Sequence, residues 1–191
     1  MSLFLPFAVV AGIAVLGCIA LVLIYNSLVV KRNNVDNAFA CIDAQLKKRY
    51  DLIPNLVETV KNYMKHEAST LKDIAEMRSR AISGNLNQSE RAELDKRLGS
   101  AIGGIMVSVE NYPDLKASDN FQQLQRTLNE TEEQLSAARR AFNAAVTDYN
   151  NAIQIFPYSI IAGIGGFTAK TLFEASGEER SNPNVGQLFK S

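Results

Sequence analysis

The chain has 191 residues, with 20 basic against 20 acidic side chains and a hydrophobic share of 47%. A formal net charge of zero leaves no electrostatic footprint for a nucleic-acid backbone, so nucleic-acid binding is excluded as a reading. The overall composition is that of a folded chain, but its apolar residues are unevenly placed, and the first segment holds a run of them.

Residues 3–25 carry no charged side chain, and the next five add none before Lys31 and Arg32. At about 1.5 Å of rise per residue the run makes a helix of about 35 Å, enough to cross a hydrocarbon core of about 30 Å. A cleaved secretory signal would begin with Lys or Arg and carry a shorter apolar core, whereas the first nine residues here are uncharged. Val15-Leu16-Gly17-Cys18 offers a small residue before a cysteine, as lipid attachment requires, but Ile19–Ile24 continues apolar beyond it. A retained anchor in the lipid bilayer through residues 3–25 is the favoured reading. Lys31, Arg32, Lys47, Lys48 and Arg49 flank one side only. The positive-inside bias then puts the short N-terminus outside and the rest in the cytoplasm.

The chain divides into an anchor over 1–30, a cytoplasmic helical bundle over 31–157, an apolar cap or association segment over 158–176 and a disordered tail over 177–191. About 160 residues after the anchor suit one domain with one core. Cys18 and Cys41 on one helix stand about 35 Å apart by the rise argument, beyond disulfide reach, which fits a reducing cytoplasm.

From Asn33 the apolar positions recur at helical spacing through Val35, Phe39, Ile42, Leu46, Ile53, Leu56, Val60, Met64, Leu71, Ile74 and Ala81. The spacing predicts that the anchor helix continues to about Ser83, kinked near Tyr50–Pro54, because Pro54 has no amide hydrogen and frees a carbonyl one turn back. Arg49 and Asn55 beside that kink are read as structural, serving freed backbone groups, with partner recognition as the rival reading. Ser83-Gly84-Asn85 supplies a helix stop and Asn87–Glu90 a new start. A second helix is expected over Ser89–Asn111, burying Leu94, Leu98, Ile102, Ile105 and Val109. Gly99, Gly103 and Gly104 each weaken it by about 1 kcal/mol relative to Ala, and are read as a close-packing face suited to self-association. Asn111-Tyr112-Pro113-Asp114 suits a helix-to-helix turn, with Pro113 ending one helix and Asp114 able to bond nearby amides.

Ser118 or Asp119 caps a third helix, whose stripe is Phe121, Leu124, Leu128, Leu135, Ala138, Phe142, Ala145, Tyr149 and Ile153, with Thr131 and the charges on other faces. The fold class is all-α: an N-terminal transmembrane helix running into an antiparallel bundle of three long helices with a short C-terminal helical piece. After Phe156-Pro157 the segment Tyr158–Ala169 is uncharged and rich in Ile and Gly, and a short amphipathic piece follows over Lys170–Ala175. Ile160, Ile161, Ile164 and Phe167 are open to three readings: a bundle cap, a self-association patch or an interfacial membrane contact. Unless the bundle lies flat on the bilayer, helix parity argues against the last, since three helices leading away, back and away carry this segment far from it.

No catalytic constellation, cofactor site or metal site is expected. His66 is the one histidine, and His66-Glu67 lacks the second histidine four residues on that a zinc-protease helix places there. Gly163-Ile164-Gly165-Gly166 lacks both the Gly-Lys-Ser/Thr ending and the preceding strand of a phosphate loop.

Several landmarks occur in one order. They include Lys31-Arg32-Asn33-Asn34-Val35, Lys47-Lys48-Arg49-Tyr50-Asp51-Leu52-Ile53-Pro54-Asn55, His66-Glu67, Glu110-Asn111-Tyr112-Pro113-Asp114-Leu115-Lys116, Asn120-Phe121, Ala138-Arg139, Tyr149-Asn150 and Phe156-Pro157. In these the chain resembles the bacterial LemA family over about residues 20–175. The resemblance implies a transmembrane segment, a cytoplasmic bundle of long helices and no established enzymatic activity. The functional expectation is a membrane-anchored, self-associating, homo-oligomeric scaffold at the bacterial inner membrane. The alternative, which the resemblance makes plausible, is an adaptor that binds another membrane protein, such as a membrane protease, through the bundle surface.

Overall fold

The computed structural model describes residues 4–84 and 88–173, and every regular element among them is helical. In order these are α1 (Phe4–Val60), a 3-10 turn (Lys65–Glu67), α2 (Ala68–Ile82), α3 (Gln88–Ser108), a 3-10 turn (Val109–Asn111), α4 (Pro113–Lys116), α5 (Asp119–Gln154) and α6 (Tyr158–Ile164). The expected disordered tail, 177–191, lies outside the described residues, as do Asn85 and Asn87 of the expected stop and start.

The all-α class and the long N-terminal helix stand, with one correction. The helix expected to reach about Ser83 ends at Val60, where the amides of Tyr63 and Met64 both donate to the Val60 carbonyl and tighten the last turn. No Gly or Pro marks this break, and the apolar spacing keeps helical phase across it, so periodicity alone reads straight through. Packing decides instead: Met64 is fully buried within the turn, while Leu71 and Ile74 are buried on a separate helix. Pro54, by contrast, lies inside α1 without interrupting it.

The residues form two compact units, one of 4–42 with Ala137–Phe173, the other within Asp43–Ser136. In the second unit the helix directions follow from cross-helix bonds. Arg78 of α2 reaches Tyr50 of α1, so α2 turns back along α1. Arg91 and Asp95 of α3 meet Asp43 and Arg49 in matching order, so α3 runs with α1. Gln134 and Glu132 of α5 meet Lys48 and Arg49 in reverse order. Four helical segments therefore alternate in direction, one reversal more than three helices give. Their shared core includes Ile53, Leu56, Ile74, Leu98, Ile105, Leu115 and Phe121.

Along α5 the buried positions Phe121, Leu124, Leu128, Thr131, Leu135, Phe142, Tyr149 and Ala152 repeat at three and four. Thr131, expected on an outer face, is fully buried in that register, its hydroxyl donating to the Thr127 carbonyl at 2.7 Å. An i−4 bond of this kind satisfies the hydroxyl within its own helix and lets Thr occupy a core position. Val146, also buried, takes the place expected of Ala145.

In the first unit α5 runs antiparallel to α1, tied by Lys31–Asp148 at 2.6 Å and by the rings of Phe39 and Phe142, 5.8 Å apart. After the bend at Ile155–Pro157, α6 packs on α1: Leu28, Ala152 and Ala162 form a buried cluster surrounded by Ile24, Ile153, Tyr158, Ile161 and Phe167. This overturns the parity argument, because Ile160–Phe167 returns to the level of Ile24 and Leu28 on α1. The residues expected as an amphipathic piece at Lys170–Ala175 have no regular secondary structure where described.

Candidate functional site

The most deeply buried polar constellation lies in the second unit. The Arg49 guanidinium donates to Asp95 Oδ1 at 3.1 Å and lies 3.2 Å from Glu132 Oε2, with side-chain exposures of 6% for Arg49, 1% for Asp95 and 53% for Glu132. The structure places Gly99 beside this cluster: a Cβ built on it would lie 2.5 Å from Arg49 Nη2. The glycine thus makes room for an ion pair within the chain.

Beside Arg49, the Tyr50 carbonyl is the acceptor that Pro54, having no N–H, leaves unserved within the helix. Arg78 Nε donates to it at 2.8 Å. The freed carbonyl thus finds its donor on α2, while Asn55 sits exposed on α1 and its carbonyl accepts from Thr59 Oγ1. The Tyr50 hydroxyl is buried without a hydrogen-bond partner. Burial, followed by the nearby Asp95 carboxylate, pushes this phenol up to about 12.

At one end of this unit the Tyr112 hydroxyl donates to Glu67 Oε2 at 2.9 Å, a bond that raises the phenol above its ordinary value. It clasps the α1–α2 turn to the α3–α4 turn. Pro113 is the first residue of α4, where its missing N–H is harmless, and Asp114 follows in that first turn. Asn111 and Asp114 are exposed, and so is His66. None of these side chains converges on a cavity. An open groove of about 480 Å³ between α2 and α3 mixes Asp73, Glu76 and Glu93 with Arg80, Lys96 and Arg97. Among the described residues no three His, Cys, Asp or Glu side chains cluster as a metal site.

In the first unit two asparagines of α5, seven residues apart, hold the segment after α6 in extended form. Asn150 exchanges two bonds with the Lys170 backbone (2.8 and 2.9 Å), and Asn143 two with the Phe173 backbone (3.0 and 2.7 Å). Two helical turns rise about 10 Å, close to the reach of three extended residues, so both amide pairs fit at once. Tyr149 adds a bond to the Thr168 carbonyl at 3.0 Å. Sequence reasoning placed Tyr149 in the apolar stripe, singled out Asn150 only as a landmark beside it, and missed Asn143. The available signal was a heptad-spaced Asn pair on a helix followed by a short uncharged segment.

The remaining expected association residues are spread over both units. Gly103 and Gly104 meet no heavy atom within 4 Å of an added Cβ. Ile160 and Ile164 are exposed, whereas Ile161 and Phe167 pack against the Leu28 cluster. Cys18 and Cys41 are free and exposed. Residues 9–23 of α1 are exposed throughout, in a helix long and apolar enough to cross a membrane.

The chain is similar to Protein LemA of Metamycoplasma hominis, 27% identical over 163 residues, covering 85% of this chain and 74% of that protein. It is also similar to magnetosome protein MamQ of Magnetospirillum gryphiswaldense, at 24% identity covering 85% of this chain and 70% of that protein. Magnetosome protein MamQ 2 of Paramagnetospirillum magneticum matches at 23% identity, covering 95% of this chain and 76% of that protein. The LemA family model matches residues 38–186, well over half of the chain, and on that match the chain belongs to the LemA family.

Proposed function

We propose that this protein is a membrane-anchored, non-catalytic helical scaffold that self-associates at the bacterial inner membrane, its N-terminus outside and its folded units in the cytoplasm. The exposed apolar face of α1, followed by Lys31, Arg32, Lys47 and Lys48, supports the anchor and its direction. The relatives' names, LemA and magnetosome protein MamQ, denote no enzyme. The buried charges are engaged with one another rather than aimed at a cavity.

The observation that carries self-association is the outer face of α3. Gly103 and Gly104 each cost the helix about 1 kcal/mol relative to Ala. Among the described residues no heavy atom comes within 4 Å of a Cβ added at either, and Val107, one turn on, is 73% exposed. Glycines that cost stability and meet no described side chain suit a close approach from another copy.

The test is light scattering of the full-length protein in detergent, beside the double variant Gly103→Leu/Gly104→Leu. Leu has nearly the helix propensity of Ala, so the variant should melt higher while its assembly mass falls. A native protein that is monomeric, or a variant whose mass is unchanged, defeats the reading and directs the search to a different membrane-protein partner.

A further inference from the structure

In the first unit the charged side chains of the described residues form one zone. They lie at or beyond Lys31 on α1, at or before Asp148 on α5, and at Lys170. Lys31–Asp148 at 2.6 Å and Lys170–Asp36 at 3.1 Å draw the two flanks together, and the Arg32 guanidinium sits 5.4 Å from the Phe167 ring centroid. On the other side of this band, residues 4–30 and 149–169 contain no charge. That is where α6 lies.

We infer that the α5–α6 bend and α6, residues Ile155–Ile164, are embedded in the lipid of the bilayer that α1 crosses, as a second membrane contact that enters without spanning. The inference rests on α1 being the anchor. Helix α6 packs at the level of Leu28 and Ile24, which by helical rise is about 4.5 to 10 Å from Lys31 towards the apolar run. Helices lying in the interfacial plane bury their apolar face about 5–10 Å deep, which matches. The side turned away from α1 presents Ile155, Phe156 at 76% exposure, Ile160 and Ile164 at 82%. This surface continues the exposed apolar surface of α1, including Leu21 and Leu23, with no charge between.

The backbone is also prepared for a medium without water, where unsatisfied polar groups are costly. The amides of Ile155, Ser159, Ile160, Gly165 and Phe167 donate to the carbonyls of Asn151, Ile155, Pro157, Ile161 and Ala162. The last bond closes the α6 C-terminus over Gly166, whose φ of 67° suits glycine. Tyr25, edge-on to Phe167, and the half-buried Tyr158 lie at the level where aromatic residues collect at membrane surfaces. A second copy would accept an apolar patch, but only lipid accounts for the loss of charge at one level on both arms.

The experiment uses full-length protein in vesicles of phosphatidylethanolamine and phosphatidylglycerol, with Cys18→Ser and Cys41→Ser and single spin labels introduced through Leu16→Cys, Phe156→Cys, Ile164→Cys or Ala144→Cys. All four positions are exposed, so labelling leaves the packing intact. Collision with oxygen reports lipid, and collision with a water-soluble nickel chelate reports solvent. Labels at 156 and 164 should report lipid, with an oxygen-to-nickel collision ratio below that of the deeper label at 16 but several-fold above that at 144. A lipid signal at 16 with a water signal at 164 refutes the inference and leaves the anchor standing. Shielding of 164 from both reagents refutes it in favour of a protein partner. A water signal at 16 removes the anchor and the inference with it.

Discussion

Removing Asp95 tests the Arg49 cluster most sharply, because the structure gives the two partners of Arg49 very different surroundings. Asp95 is 1% exposed and Glu132 53%, and both lie within about 3 Å of the same guanidinium. Truncating one member of a buried pair costs about 3–5 kcal/mol, since the other charge stays buried without its counter-ion. Glu132 remains in Asp95→Ala, which holds the loss near the lower end, about 3 kcal/mol. Glu132→Ala removes a largely hydrated contact and should cost about 0–1 kcal/mol. Urea unfolding of the full-length protein in detergent, followed by helical circular dichroism, separates the two. With a slope of about 2 kcal/mol per molar, Asp95→Ala should lower the midpoint by about 1.5 M and Glu132→Ala by under about 0.5 M. The apolar double variant Arg49→Met/Asp95→Leu should recover most of the loss, because it leaves no buried charge. If Asp95→Ala moves the midpoint no further than Glu132→Ala, or the double variant is as unstable as Asp95→Ala, the assignment of the buried pair is wrong.

Other substitutions probe the neighbouring contacts. Tyr50→Phe removes a buried hydroxyl that has no partner and should leave stability unchanged or raise it by about 1 kcal/mol. The same variant tests alkaline behaviour: the folded phenol is raised from 10.0 to about 12, so its contribution is full below pH 10 and lost as the pH climbs through about 12. That loss is up to about 2.7 kcal/mol and should be absent from Tyr50→Phe; equal alkaline losses in both proteins would show that Tyr50 is not the group. Arg78→Met deprives the Tyr50 carbonyl of its donor and should cost about 1–3 kcal/mol. Adding Pro54→Ala restores an in-helix N–H, and should rescue Arg78→Met by more than it changes the native protein in a thermal-melt cycle. Asn150→Ala deletes both bonds to the Lys170 backbone, about 2 kcal/mol in all, and should speed amide exchange over residues 168–173 by roughly 30-fold. Unchanged protection there would mean that the extended segment is held by other contacts.

What was legible in the sequence was what periodicity encodes. The α5 stripe is a clean repeat of three and four, and Asp119 stands where α5 begins, since Asp at a helix start acts locally, whereas Pro113, expected to end a helix in a turn, opens the short α4. Thr131 shows where such reading fails, because its polarity argued for an outer face while an i−4 bond allowed it into the core. Gly99 shows another limit. A glycine that admits a guanidinium from another helix looks, in sequence, the same as Gly103, which faces open space. Arg49 was expected to serve backbone groups freed at Pro54, but it pairs with carboxylates 46 and 83 positions further on, and no local pattern connects them.

The break between α1 and α2 had the largest consequence, because a single reversal changes where everything after it points. With three helices the uncharged segment after Phe156 faces away from the membrane end of α1, and a cap or association patch is the economical reading. The turn at 61–67 adds a reversal, and the same segment then lies against Ile24 and Leu28. Its lack of charge, a puzzle for a surface in water, becomes what a leaflet demands of any segment that enters it. The charge pattern marks the two boundaries, and the structure supplies their pairing. The uncharged runs 3–30 and 149–169 both end at residues that pair across the helices, Lys31 with Asp148 and Asp36 with Lys170. Two apolar runs bounded by mutually paired charges define a common surface level, a pattern that can be sought in any single-anchor helical protein whose later helices return to the membrane.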